Sequence, residues 1–302
     1  MTAAPAAPAA TRLGAGLLLA TLGAIAFSGK AIIVKLAYRH GVDAVTLIML
    51  RMLFALPLFL ALAWWAGRGK PPLTARDWRV VGALGFTGYY LASFLDFAGL
   101  AYISASLERL VLYLNPTIVL LLGRVLYKRR VTRGQLLALA VSYAGVLLVF
   151  GHEVTLQGSG VALGLALVFG SAVSYAVYLV FSGEEVRRLG SLRLTGLATS
   201  VACGLCIVQF LLLRPLSAAL GVAPQVVWLS VLNATLCTFA PVLMVMMAME
   251  RVGAAVTAQA GMIGPMSTIL MGVLLLGEPF TAWVAAGTAL VLAGVWLLAR
   301  AR

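Results

Sequence analysis

The chain has 302 residues, of which 63% are hydrophobic and only 10% charged. A water-soluble domain carries roughly 25% charged residues, so a soluble enzyme or binding module is excluded and lipid must be the solvent. The formal charge of +13 would suit a nucleic-acid partner only if it were clustered on one folded surface, and its distribution along the chain excludes that too.

Residues 1–12 form an Ala/Pro-rich lead whose first charged residue is Arg12, and they are read as disordered. Ten apolar runs follow, each near the roughly 20 residues that cross a bilayer as a helix: Leu13–Val34, Val45–Ala66, Val80–Tyr102, Leu107–Leu126, Gly134–Gly151, Val161–Phe181, Leu194–Leu213, Val226–Met249, Gly253–Leu276 and Ala282–Ala299. They are too long and continuous for barrel strands, so the spans are helices. The first exceeds a signal-peptide core, and no cleavage is expected. The connections are brief, including His152–Gly160 at mid-chain, which leaves the membrane interior as the place for function.

With the N-terminus in the cytoplasm, 16 Lys and Arg residues fall on the cytoplasmic side, including Arg68, Lys70, Lys128, Arg129, Arg130, Arg187 and Arg188. Four (Lys35, Arg39, Arg109 and Arg214) fall on the other, and Lys30 and Arg51 lie within spans. The positive-inside rule then places both termini in the cytoplasm. The basic charge reads as topology, and no nucleic-acid partner is expected.

Pro116 recurs as Pro265, Gly123 as Gly272, Thr132 as Thr281 and Ala144-Gly145-Val146 as Ala293-Gly294-Val295, all at an offset of 149. Residues 13–151 and 158–300 are therefore two copies of a five-span unit. An odd number of spans turns the second copy over in the bilayer, the inverted-repeat layout of many secondary transporters. The copies differ where opposite membrane faces require it: Lys128-Arg129-Arg130 in the first stands against Gly277-Glu278-Pro279 in the second.

Pro116 and Pro265 in mid-span, the Gly277-Glu278-Pro279-Phe280-Thr281 end of the ninth span, Val131-Thr132 of the fourth, and the Ala144-Gly145 and Ala293-Gly294 pairs resemble the drug/metabolite transporter superfamily in its ten-helix form with two EamA-type repeats. Arg129 stands where that family often has Glu. The chain is most similar to YddG-type exporters of aromatic and other amino acids. The resemblance implies an all-α membrane protein with ten helices around a central cavity, lined mainly by helices 1, 3, 4, 6, 8 and 9, with helices 5 and 10 peripheral.

Polar residues inside a bilayer are costly unless they face protein or water. Tyr89, Ser93 and Asp96 share one face of the third span, and Ser171, Tyr175, Tyr178 and Ser182 one face of the sixth. Ser106 and Tyr113 align on the fourth, and Ser230, Asn233 and Cys237 on the eighth. Each residue alone reads equally well as helix packing. As a set on the cavity helices, Tyr89, Ser93, Tyr113, Ser171, Tyr175, Tyr178 and Asn233 are read as the substrate path. Pro116 and Pro265 each free a backbone carbonyl in mid-span and are read as helix breaks used as hinges or binding elements. Lys30, Arg51 and Asp96 are the ionisable residues well inside spans, with Glu108 and Arg109 just beyond. Asp96 is expected to pair with Arg51 or Lys30, as a gate or a seat for a substrate carboxylate.

Other spacings are read as packing. Cys203-x-x-Cys206 lies mid-span with no His nearby, so neither a metal nor a cofactor is expected. Gly82-x-x-Gly85-x-x-Gly88 follows no strand, which removes the nucleotide-loop reading. Ala285, Ala289 and Ala293 suggest a close-packing face on the tenth span. The sequence thus predicts an exporter of small organic solutes, amino acids first, working by alternating access. Broad drug or metabolite efflux is the alternative, disfavoured because the first span has no acidic residue, and an intramembrane enzyme is remote. A duplicated chain needs no partner to complete a pseudo-dimer, so a monomer suffices. The Ala, Gly, Leu and Val richness, with Arg over Lys, suggests a bacterial cell (inner) membrane.

Overall fold

The computed structural model describes residues 9–128, 132–157, 160–261 and 263–300. Among the described residues every regular element is helical, as a chain that must satisfy its backbone within each lipid-facing segment requires. In chain order these are α1 (Ala9–Tyr38), α2 (Ala44–Gly67), α3 (Ala75–Leu100), α4 (Ala105–Leu112 and Asn115–Tyr127), α5 (Arg133–Gln157) and α6 (Gly160–Leu189). Then follow α7 (Ser191–Leu213), a short helix Leu216–Leu220, α8 (Pro224 onward), α9 (Ile263–Met271 and Gly272–Leu276) and α10 (Ala282–Arg300).

Several boundaries differ from the sequence reading. Helix α1 begins at Ala9, so the last residues of the proposed 1–12 lead are helical, and residues 1–8 lie outside the described residues. Helix α5 continues to Gln157, so most of the mid-chain connection is helix. The comparison of Lys128-Arg129-Arg130 with the second copy falls partly on Arg129, Arg130 and Val131, which lie outside the described residues.

We call the end of the bundle where α1 begins and α10 ends the base, and the opposite end the crown. Lys35, near the end of α1, donates to the carbonyls of Leu100 and Ile103 at 3.2 and 3.0 Å, so α1 and α3 rise in parallel. Gly88 of α3 packs on Tyr178 of α6, and Gly99 on Gly164 and Val168. Helix α6 therefore descends where α3 rises. The first copy starts at the base and the second at the crown, which is the inversion an odd span count demands.

Helical conformation runs from Pro224 to Gly261, but the chain reverses within it. Gly29 and Gly23 of α1 face Cys237 and Met244–Val245, and Gly16 faces Arg251–Val252. Yet Ser28 donates to the carbonyl of Gly264 at 2.8 Å. Only a turn near Val252 brings the chain back alongside α1 from Gly16 to Ser28. This reversal separates the eighth and ninth crossings, so two halves of five crossings remain.

The outer face exposes large apolar side chains such as Leu212, Leu220, Leu274 and Val125, normal for a surface wetted by lipid. Trp64 and Trp296 near the base carry Arg68 and Arg300 over their rings at 3.7 and 4.0 Å, and Trp228 and Trp283 are exposed near the crown. Such tryptophans mark the two interfaces. At the crown Asp43 caps α2; although burial raises its carboxyl, hydrogen bonds from Thr46 and Val45 and the nearby Arg214 hold it below the usual carboxylate range.

Small residues fix the closest contacts. A Cβ on Gly287 of α10 would lie 2.7 Å from the carbonyl oxygen of Gly145 in α5, and one on Gly294 would lie 2.8 Å from that of Ala138. The packing face of α10 is thus Val284-Gly287-Val291-Gly294, and Ala289 and Ala293 are exposed. The expected alanine stripe faces outward because glycine lets the backbones approach further. In α3 the Gly85 and Gly88 pair serves the same end, against Ala198 of α7 and Tyr178.

Of three π-helical turns among the described residues, two interrupt the bundle at matching places, Phe86–Leu91 in α3 and Thr235–Phe239 in α8, and the third, Gly272–Leu276, ends α9 without a counterpart in α4. The starts of the matching pair are 149 residues apart, the repeat offset. No identity in the sequence at these positions announces this; the backbone preserves a symmetry that the side chains have lost.

Candidate functional site

Both proline breaks occur on interior helices, and in both the freed carbonyl has a side-chain partner. Pro116 lacks the N–H that would bond Leu112, and the Asn115 amide donates to the Leu112 oxygen instead, at 2.7 Å. Pro265 would bond Gly261, and the Tyr113 hydroxyl donates to that oxygen at 2.6 Å. Leu112 and Gly261 are themselves related by the repeat. Tyr113 therefore ties the break of the first copy to the equivalent carbonyl of the second. The two prolines differ in packing, since Pro265 is buried and Pro116 exposed.

One turn or so toward the crown lies a buried charge cluster. Lys30 of α1 meets Asp96 of α3 at 2.5 Å and Glu108 of α4 at 3.4 Å. Arg109 lies 3.9 Å from Glu108, donates to Thr268 of α9 at 2.9 Å, and reaches the Phe27 carbonyl at 3.2 Å. Of the two pairings open in the sequence, Asp96 takes Lys30. Glu108 and Arg109 are not beyond the span: Glu108 is fully buried and belongs to the cluster. The sequence reading missed this because α4 starts at Ala105, capped by Ser104, which puts Glu108 one turn inside the bundle.

Arg51 of α2 stays apart. It is buried, its Nη2 is 3.4 Å from the Ser93 hydroxyl, and its guanidinium sits 4.9 Å from the Phe97 ring centroid. Its Nε and Nη1 have no hydrogen-bond partner.

The tyrosines converge. Tyr89 and Tyr178 have hydroxyls 3.1 Å apart and rings 5.1 Å apart edge-to-face, and Tyr175 stacks on Tyr178 at 5.5 Å. Tyr89 lies about one turn basewards of Ser93 on α3, and the wall packs with Val81, Leu84, Leu189 and Leu194. Ser171 is placed otherwise: its hydroxyl donates to the Ala92 carbonyl at 2.7 Å, a helix-to-helix tie that Ser174 repeats on Thr87. Asn233 is buried beside the π-turn of α8 with an amide that has no hydrogen-bond partner.

Contacts close both ends of the bundle. At the base Arg188 binds Asp77 and Glu185, while Lys70 and Arg193 donate across to the Leu189 and Pro71 carbonyls. At the crown Glu278 of the second copy receives the N–H groups of Ala105 and Ser106 at 2.7 and 3.2 Å and the Ser106 hydroxyl at 2.7 Å. It thus caps α4 of the first copy, where a carboxylate is favoured by the helix dipole. Glu153 binds Ser104 beside it. Over these groups lies a vestibule of about 410 Å³, also lined by Lys35 and Arg39.

A helical membrane bundle built of two inverted halves, with an interior of aromatic, hydroxyl and paired charged groups, has the architecture of many secondary transporters. The chain belongs to the EamA-like transporter family, whose model matches residues 14–151 and again 162–300. It is 27% identical over 278 residues to YcbK of Bacillus subtilis (strain 168), described as an uncharacterized transporter, covering 87% of this chain and 86% of that one. A solved crystal structure described only as that of a protein shares the fold, with a TM-score of 0.60 and 18% identity over 94% of this chain and 96% of that one.

Proposed function

We propose that this transporter exports small organic solutes, neutral amino acids first, by alternating access, with the base in the cytoplasm and the crown outside. The observation that carries this reading is Arg51, a buried guanidinium with two nitrogens free of hydrogen-bond partners beside Ser93 of α3, the helix that also carries Tyr89 of the tyrosine wall. A desolvated guanidinium seeks a carboxylate, and a bidentate pair is among the strongest polar contacts. The tyrosines offer a side chain apolar faces and few charges. Lys30, already held by Asp96, serves the gate, where α1, α3 and α4 meet. The resemblance to YddG-type exporters supports the same substrate class.

Counterflow into proteoliposomes with radiolabelled phenylalanine, leucine, a quaternary cation and a nucleotide sugar tests the reading. The amino acids are expected to exchange, and Arg51→Ala to raise the half-saturating concentration about tenfold or more, the loss of some 1.4 kcal/mol. Full activity in both Arg51→Ala and Lys30→Ala, or exchange of the cation alone, overturns it. Broad cation efflux is the second reading, favoured by the buried acid pair Asp96 and Glu108, although Lys30 and Arg109 already balance it.

A further inference from the structure

Among the described residues Glu108, Arg51 and Asn233 each bury two side-chain polar atoms that have no hydrogen-bond partner, and of the three only Glu108 is an acid. It is 0% exposed, and neither carboxylate oxygen accepts a hydrogen bond. Two cations stand near it, but both are engaged elsewhere. Lys30 is closer to Asp96, at 2.5 Å against 3.4 Å, and Arg109, at 3.9 Å, turns its Nε to Thr268 and its Nη2 to the Phe27 carbonyl. Asp96 Oδ1 is likewise without a donor. The two carboxyls approach one another across Lys30. A buried carboxylate lacking donors is costly; Lys30 and Arg109 are ion-pair neighbours of Glu108 but neither gives it a hydrogen bond, and a proton turns one of its oxygens into a donor that can serve the bare Asp96 Oδ1.

The vestibule lies close by. Glu108 donates its backbone N–H to the Ser104 carbonyl, so it lies one helical turn, about 5.4 Å of rise, inside the crown-end cap of α4. That cap is the floor of the vestibule, where Glu153 binds Ser104 and Glu278 binds Ser106. The titratable groups of the vestibule (Lys35, Tyr38, Arg39, His152, Glu153, Glu278) thus stand one turn crownwards of the buried Glu108. The other groups facing the pair are Lys30 and Tyr38 of α1, Arg109 of α4 itself, Thr268 of α9, Cys237 of α8 beside Lys30 and Arg109, and, beside Asp96, Ser93 with Arg51 of α2. On α6 the described ionisable side chains are Tyr175 and Tyr178 of the aromatic wall and Glu185, Arg187 and Arg188 near the base.

We propose that Asp96 and Glu108 form a one-proton coupling site, loaded through the crown vestibule, that drives solute exchange for protons. Loading adds H⁺ to a Glu108 oxygen; the neutral acid donates to Asp96, which keeps Lys30. Release returns the carboxylate and hands the proton to the opposite side. The inference rests on the export reading, because a solute moving outward can draw on an inward proton gradient only by exchange.

The test uses the full chain in proteoliposomes, membrane potential clamped, with phenylalanine and leucine as probes and a trapped pH dye. At one-to-one coupling, one pH unit sustains a solute gradient of about tenfold, and the dye should report proton flux with solute. In Glu108→Gln the gradient-driven accumulation ratio should fall to about one, whereas Glu250→Gln, at an exposed carboxylate near the base, should retain the wild-type ratio. Counterflow in the wild type with no response to pH overturns the coupling site and leaves the export reading intact. Absence of counterflow overturns the export reading. A second measurement needs no substrate: infrared titration of the purified protein should show a carboxylic C=O band lost in Glu108→Gln. An unchanged band in that variant removes the proton from Glu108.

Discussion

Tyr113 shows how much one residue can settle. The repeat makes Pro116 and Pro265 visible, and proline chemistry says that each frees a carbonyl. What repairs each carbonyl differs: Asn115 repairs its own break, and Tyr113 repairs the other copy's. Tyr113→Phe leaves the half-buried Gly261 oxygen without its side-chain donor, at a cost of about 1 kcal/mol. Thermal unfolding in detergent should register this as a lower midpoint, and counterflow should slow, since the bond joins the two moving halves. Asn115→Leu should lower the midpoint comparably, because it orphans the matching carbonyl, but its bond lies within α4 and does not cross between halves. Equal slowing in both variants would remove the cross-copy role of Tyr113. Lys30 and Asp96 were legible as singular charges in apolar runs. Their partner Glu108 was not, because whether a residue four places from a span's edge is inside depends on where its neighbours cap the helix.

At the scale of elements, glycine decides what alanine cannot. Helices α5 and α10 meet where Gly145, Gly287 and Gly294 let backbone approach backbone, and a side chain at Gly287 has no space to enter. Gly287→Leu should cost about 1–3 kcal/mol through overpacking, seen as a lower unfolding midpoint. Transport per folded molecule should change little, because this pair lies away from the Lys30–Asp96–Glu108 cluster and the tyrosine wall. A loss of transport with unchanged stability would place α5 and α10 in the mechanism. The paired π-turns of α3 and α8 belong to this scale too. They were not legible in the sequence, since a π-turn has no residue signature and depends on what the wider helical turn lets the flanking residues reach.

At the scale of the whole molecule, the charge bias of the sequence predicts that the base faces the cytoplasm. The native cysteines, Cys203, Cys206 and Cys237, are buried, so single introduced cysteines report cleanly. A membrane-impermeant maleimide on intact cells should label His40→Cys at the crown and leave Arg68→Cys at the base untouched until the cells are opened; the reverse pattern inverts the assignment, and with it the direction of export. The sequence by itself determined the solvent, the span count, the duplication and its inversion, because hydrophobic length, parity and charge bias are properties summed along a chain. Only the tertiary structure decided which charges pair, which carbonyls are repaired, and that Glu108 lies buried between Asp96 and Lys30. Those outcomes depend on distances between helices far apart in sequence, where an ångström separates an ion pair from a free guanidinium.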